Sequence, residues 1–406
     1  MNYRDALAWL YGLQLFGIKL GLENIWRLID ALHVDLGEAR VIHVAGTNGK
    51  GSVCAMIDSI ARAQGCRSGL FTSPHLISFR ERIRVNGEMI SEDTVASGLT
   101  EIRDLVASWD PHPTFFEITT ALALQYFANA KIDIVVLETG LGGRLDATNA
   151  IYSNVAVITP IDLDHQKWLG DSLEQIAGEK AGIIKGKAPV VSAPQLPQAE
   201  DVIRARAAEC KTSVQFVSEK YGQTPMVLHG THQKQNAAVA LAALRAGKID
   251  INDSAIKRGL LSVEWPARFQ RWDQCTFIDG AHNPVAARVL ANTWRETFGG
   301  QRTTIVLAIL SDKDLRGICE ALAPITDHVF LPRIRTERAA NPHELAKILI
   351  NLGTRCQIGG TFAEALEKAR ARDGSILITG SLRFAGEALA HLQGWPADFE
   401  ECAQEL

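Results

Sequence analysis

The stretch Val41-Ile42-His43-Val44-Ala45-Gly46-Thr47-Asn48-Gly49-Lys50-Gly51-Ser52 decides the fold. An apolar run of strand type breaks into a glycine loop with one lysine and passes straight into a helix. Val53, Met56, Ile57 and Ile60 stand at i, i+3, i+4 and i+7, which predicts that helix, and Gly65 supplies its stop. Strand, glycine loop and helix N-terminus together make an anion site. Backbone N–H groups and the helix dipole face the ligand, and the lysine adds a full positive charge. A nucleotide triphosphate suits such a site. The usual phosphate loop has its hydroxyl residue directly after the lysine, whereas Gly51 intervenes here before Ser52. The plainer alternative, a glycine turn entering a helix, leaves the lysine and the hydroxyl unexplained.

The 406 residues exceed one ordinary core, so two domains are expected. A net charge of −4 gives no basis for a nucleic-acid partner. No apolar run approaches a membrane span, and Met1-Asn2-Tyr3-Arg4-Asp5 lacks a secretory pattern. Seven scattered cysteines form no C-x-x-C pair, and their odd number speaks against a disulfide framework. A cytoplasmic protein with reduced thiols and no membrane partner is the expectation.

Outward from the glycine loop, short apolar runs alternate with helical patterns. Strands are expected at 41–45, 68–72, 132–138, 155–161, 190–193, 276–279, 303–308, 328–331 and 375–379, with helices such as 92–108, 115–130 and 233–246 between them. That alternation predicts an α/β fold of parallel sheets with helices on their faces. Asn86-Gly87 between 82–85 and 88–90 is a two-residue hairpin signal. Glu264-Trp265-Pro266-Ala267-Arg268 marks the boundary, because proline biases Trp265 out of helix and the preceding pattern ends at Leu261. This divides the chain into 1–264, a linker at 265–272, and 273–406.

In open α/β sheets ligands bind at the carboxyl ends of strands, and candidate residues recur there. Ser73, in Phe71-Thr72-Ser73-Pro74-His75, puts a hydroxyl near the phosphates or merely makes a Ser-Pro turn. Glu138 ends a buried run and precedes Thr139-Gly140-Leu141-Gly142-Gly143-Arg144. Such an acid beside the phosphate strand is where these folds hold Mg²⁺, a hard cation that prefers oxygen. His165, in Asp162-Leu163-Asp164-His165, is a second metal ligand or a core histidine. Lys180 by pattern alone is a solvated helix lysine. Glu117 fits a capping box with Thr114. Asp279 and His282 face a cleft or cap the helix beginning at Pro284, and Ser381 has an equally good capping role.

Together these segments resemble the folylpolyglutamate synthase and dihydrofolate synthase family within the Mur ligase superfamily. The resemblance covers essentially the whole chain. It rests on 45–52, 72–76, 138–149, Asp164-His165 with Trp168-Leu169-Gly170, 179–182, Asn236-Ala237-Ala238, Arg268-Phe269 and 279–284. It implies an N-terminal phosphate-loop ATPase domain on a parallel sheet, a smaller Rossmann-like glutamate-ligase domain, and an active site in the cleft between them. Thr47, Asn48, Gly49 and Lys50, with Gly51 and Ser52, would then hold ATP phosphates. Ser73, Glu138 and His165 would coordinate Mg²⁺, with K⁺ a further candidate ion. Lys180 would be carbamylated, and Asn236, Arg268 and Asp279 would contact ATP. The pterin-bearing substrate would lie near Lys19, Leu20, Gly21 and Leu22, near Thr114, Phe115, Phe116 and Glu117, and near Leu145, Asp146 and Ala147. His282, read as catalytic, and Ser381 would serve the glutamate or nucleotide side.

The family's usual Pro-Gly-Arg-Phe is Pro266-Ala267-Arg268-Phe269 here, and Gln166-Lys167 follow the histidine in place of small or acidic residues. The implied reaction joins L-glutamate to a folate or pteroate carboxylate through an acyl phosphate, in a monomer. A muramyl ligase would use the same chemistry, but only 45 residues precede Gly46, too few for its usual nucleotide-sugar domain. A nucleotide-binding regulator without catalysis is the other class of answer. Retention of Lys50, Glu138, His165 and Lys180 speaks against it.

Overall fold

A computed structural model describes residues 1–16 and 21–395. The first sheet has eight strands: β1 Arg40–Ala45, β2 Ser68–Phe71, β3 Ile83–Val85, β4 Glu88–Met89, β5 Ile134–Glu138, β6 Val155–Ile158, β7 Val190–Ser192 and β8 Val214–Phe216. Their order is β4-β3-β2-β5-β1-β6-β7-β8. All pairs are parallel except those made by β3, which runs antiparallel to β2 and to β4. The expected hairpin is therefore present. Asn86 and Gly87 take φ of 53° and 84°, the left-handed pair that a tight turn between twisted strands requires.

The second sheet holds β9 Gln270–Arg271, β10 Thr276–Ile278, β11 Thr303–Leu307, β12 Thr326–Leu331, β13 Arg355–Ile358 and β14 Ile376–Thr379, in the order β13-β12-β11-β14-β10-β9. Only β9 is antiparallel. It lies within the stretch read as linker, so residues 270–271 belong to this sheet. The strands the sequence did not announce, β8, β9 and β13, all lie at sheet edges. They are two to four residues long and partly exposed, so no continuous apolar run marks them.

Strand β1 sits between β5 and β6, with Val44 beside Glu138 and Ala45 beside Ile158. This strand reversal point places the ends of β1, β5 and β6 around one crevice. The helix Lys50–Gln64 that leaves β1 is buried along nearly its whole length, under the helices Thr231–Ala246 and Asp253–Leu261. Gly51 is required by that packing. A Cβ there would lie 2.6 Å from the Trp265 ring, so the indole rests directly on the first turn. The glycine that breaks the usual phosphate-loop pattern is the seat of the linker tryptophan.

Candidate active site

The glycine loop is braced from β6. The N–H groups of Thr47 and Asn48 both donate to Pro160 O, at 3.0 and 3.2 Å, and the Thr47 hydroxyl donates to Asp162 O. The first bond of the following helix runs from Val53 N to Gly49 O. The N–H groups of Gly49, Lys50, Gly51 and Ser52 therefore precede the helical ladder, as helix N-termini leave them. Those four are placed to donate to an anion, while the bonds of Thr47 and Asn48 to Pro160 shape the loop. Asn48 also keeps a buried Nδ2 without a protein partner.

Two lysines converge on one carbonyl. Lys50 Nζ donates to Gly46 O at 3.2 Å and to Thr47 O at 3.4 Å, and Lys180 Nζ donates to Gly46 O at 2.9 Å. Lys180 is 4 % exposed, so it is not the solvated lysine its pattern suggests. Burial, with the charge of Lys50 adding to it, pulls its pKa to about 7. A full cation and a second, partly protonated amine crowded on one neutral oxygen call for an anion.

Glu138, at the end of β5, accepts Ser73 N at Oε2, 3.1 Å. Burial raises its carboxyl and the positive charge of Lys50 opposes the rise. His165 sits in left-handed backbone at φ 52°, which costs about 1 kcal/mol, and heads the short helix Gln166–Leu169. Burial, reinforced by Lys313, Lys180 and Lys50 against Asp164, pulls its imidazole to about 4, leaving it neutral near pH 7. Burial would raise Asp164, but neighbouring positive charge holds its carboxyl below the usual range. With His165 neutral, Lys313 at 3.3 Å supplies most of that charge.

Ser73, Glu138 and His165 all line the same cavity as the loop. They form one hydroxyl, one carboxylate and one neutral imidazole, a donor set that fits a Mg²⁺ or Mn²⁺ whose remaining ligands are phosphate oxygens and water. No group of three or more His, Cys, Asp or Glu that would cage a metal alone occurs among the described residues.

The second sheet contributes the opposite wall. Asp279, past the end of β10, accepts Phe269 N at 2.8 Å and Ala281 N at 2.9 Å, which ties the Arg268-Phe269 segment to the sheet. Burial raises its carboxyl, with Arg268 opposing. His282 Nδ1 meets Gly280 O at 2.9 Å. Neither caps the next helix: Asn283 does, accepting Ala286 N. On the loop side, Asn236 donates to Gln233 Oε1 and packs against Gly49.

The remaining lining residues include Thr114, Phe115, Phe116 and Glu117, with Gly21, Leu145, Asp146 and Ala147. Glu117 closes the capping box with Thr114 and still faces the cavity. Asp146 is an organiser. Its carboxylate accepts Gly140 N and Leu141 N at one oxygen and the Thr148 N–H and hydroxyl at the other, holding the glycine turn after Glu138.

Two of the expected site residues are not brought into the cavity lining. Ser381 is fully buried, accepts Phe384 N as the N-cap of helix Leu382–Leu392, and is not among the cavity-lining residues. Leu22 heads helix Glu23–Ala31 and packs against the core instead of the cavity. Lys19 and Leu20 lie outside the described residues.

Gln14, Arg82, His232 and Lys313 also line the cavity without having been singled out. Lys313 follows β11 and was findable by the strand-end rule. Arg82, 2 % exposed beside the Phe115 ring, carries no such signal.

The cavity encloses about 590 Å³. A phosphate loop on the reversal point of one sheet, facing the strand ends of a second, defines a Mur-type ATP-dependent ligase. Residues 44–193 match the Mur ligase middle domain, and residues 267–382 match the Mur ligase glutamate ligase domain. The chain belongs to the folylpolyglutamate synthase/dihydrofolate synthase family. It is 34% identical to the dihydrofolate synthase/folylpolyglutamate synthase of Bacillus subtilis, covering 96% of this chain and 99% of that one. Escherichia coli FolC in complex with DHPP and ADP superposes with a TM-score of 0.88 at 33% identity, covering 97% and 98%. A bifunctional folylpolyglutamate synthase/dihydrofolate synthase with Mn, AMPPNP and L-glutamate bound gives 0.84 at 33%, covering 96% and 98%.

Proposed function

We propose that this protein is an ATP- and divalent-metal-dependent ligase that joins L-glutamate to tetrahydrofolate and also to 7,8-dihydropteroate. The observation that carries the reading is the convergence of Lys50 and Lys180 on the Gly46 carbonyl beside Glu138, in the cavity that also holds the pocket around Phe115 and Leu145. The donors Gly49 to Ser52 and Lys50 receive the ATP phosphates. Ser73, Glu138 and His165 hold Mg²⁺, with K⁺ a further candidate; bound metal neutralises phosphate charge.

An oxygen of the acceptor carboxylate attacks the γ-phosphorus as the bond to ADP breaks. The phosphoryl charge is countered by Lys50 and the helix-start N–H groups. The glutamate nitrogen then attacks the acyl carbon, the C–O bond to phosphate breaks, and the nitrogen loses its proton. Arg268, Asp279 and His282 serve the nucleotide and glutamate side. Closure of the 273–406 portion on 1–264 about the Trp265 linker excludes water from the acyl phosphate.

Lys180, with its pKa drawn to about 7, is a nucleophile for CO₂. Its neutral nitrogen bonds the CO₂ carbon and releases a proton, leaving a carbamate anion among the cations. A monomer acting in the cytoplasm completes the reading. The test is ADP release from ATP and Mg²⁺, with dihydropteroate and 5,10-methylene-tetrahydrofolate supplied separately. Glutamate-dependent turnover with both is expected; ATP binding with no turnover on either overturns the assignment.

A further inference from the structure

We infer that Asp164 is a positioning residue through which the second sheet sets the geometry of His165, with Lys313 and Asn283 as the groups that grip it. Asp164 collects donors from both halves of the molecule. Its Oδ1 accepts His165 N at 2.9 Å and Lys313 Nζ at 3.3 Å, and its Oδ2 accepts Asn283 Nδ2 at 3.2 Å. Asn283 Nδ2 also reaches Asn48 Oδ1 at 3.1 Å, while Asn283 Oδ1 caps the helix Pro284–Phe298. One side-chain amide thus spans the phosphate loop, Asp164 and the second sheet. Its orientation is fixed from all three.

The grip is shielded from water, with the Lys313 side chain 6 % and the Asp164 side chain 11 % exposed. Removing one member of such a pair strands the other charge in a dry site. Asp312 steadies the lysine loop from the far side, 3.9 Å from Lys313 and 3.1 Å from Arg338. His165 occupies left-handed backbone, and the bond from its own N–H to Asp164 Oδ1 is what fixes that turn. Separating the two sheets withdraws Lys313 and Asn283 from Asp164. Seating them orders the turn that carries His165. Closure and readiness of the metal site are thereby one event.

This rests on reading His165 as a metal ligand, so the experiment separates the two claims. Binding of Mn²⁺ to the protein with AMPPNP is followed through the electron paramagnetic resonance of free Mn²⁺. His165→Ala tests the reading, and wild-type Mn²⁺ affinity in that variant sinks both claims. Lys313→Met and Asn283→Asp, the latter keeping the helix cap while replacing the donor by a carboxylate facing Asp164, test the grip. Each is expected to weaken Mn²⁺ binding about tenfold, the scale of lost second-shell partners. Lys313→Arg should recover most of it, and neither variant should add to the loss in a His165→Ala background. If His165→Ala loses Mn²⁺ while Lys313→Met and Asn283→Asp bind it normally, the positioning role is wrong and the ligand assignment stands. If Lys313→Met does not fold, Asn283→Asp decides alone.

Discussion

Lys50 and Lys180 share an acceptor, and much of the chemistry follows from that crowding. Replacing Lys50 by Ala removes the charge opposing the phosphates. Glutamate-dependent ADP release should fall by two to three orders of magnitude, about 3–4 kcal/mol of transition-state stabilisation; near-normal turnover would return the loop to an ordinary turn. Lys180→Ala should be nearly inactive and partly rescued by added short carboxylates, whereas turnover equal to the parent would remove the carbamate. Lys180 also predicts a pH dependence. Its folded pKa, about 7, lies below the unfolded value near 10.4, so the unfolded chain binds more protons between these limits. The destabilisation is complete below pH 7 and is relieved as pH rises. In bicarbonate-free buffer Tm should climb from pH 7 to 9, and Lys180→Met should flatten the climb. Lys185, drawn to about 8 by burial, acts in the same direction and leaves a residual slope. At this scale the sequence was informative where a residue type at a strand end has few uses, as with Glu138. Ser381 stayed ambiguous because an N-cap and a ligand hydroxyl look alike before packing is known.

The elements were legible in proportion to their burial. Strands β1, β5 and β6 are buried and read as apolar runs, interrupted only by His43 in β1, while β8 and β13 are edge strands that read as loop. The departure at Gly51 could be seen in the sequence but not explained, because its cause is Trp265, more than two hundred residues away. Gly51→Val forces that indole off the first helical turn. Titration calorimetry should show ATP binding about tenfold weaker, with part of the loss returned by adding Trp265→Ala. A variant that binds ATP as well as the parent would show that the contact has no consequence for the loop.

The meeting of the two sheets was the least legible feature, since no local pattern encodes it. The apolar cluster around β14 and helix Leu382–Leu392 includes Leu76 and Ile77 from the segment after β2. There Gly386 lets the helix approach so closely that a Cβ would lie 2.1 Å from Leu76 O. Gly386→Val should hold the two portions apart. Turnover should fall at least tenfold, with a larger radius of gyration in small-angle scattering of the ADP-bound protein; unchanged scattering and activity would mean that this contact does not set the closed form.

If the acceptor carboxylate is activated as an acyl phosphate in this cavity, one of its oxygens leaves with the phosphate. Dihydropteroate labelled with ¹⁸O in its carboxylate tests it directly, by mass analysis of the phosphate released during glutamate addition. One ¹⁸O per phosphate is the predicted result. Unlabelled phosphate accompanying amide product would contradict the account.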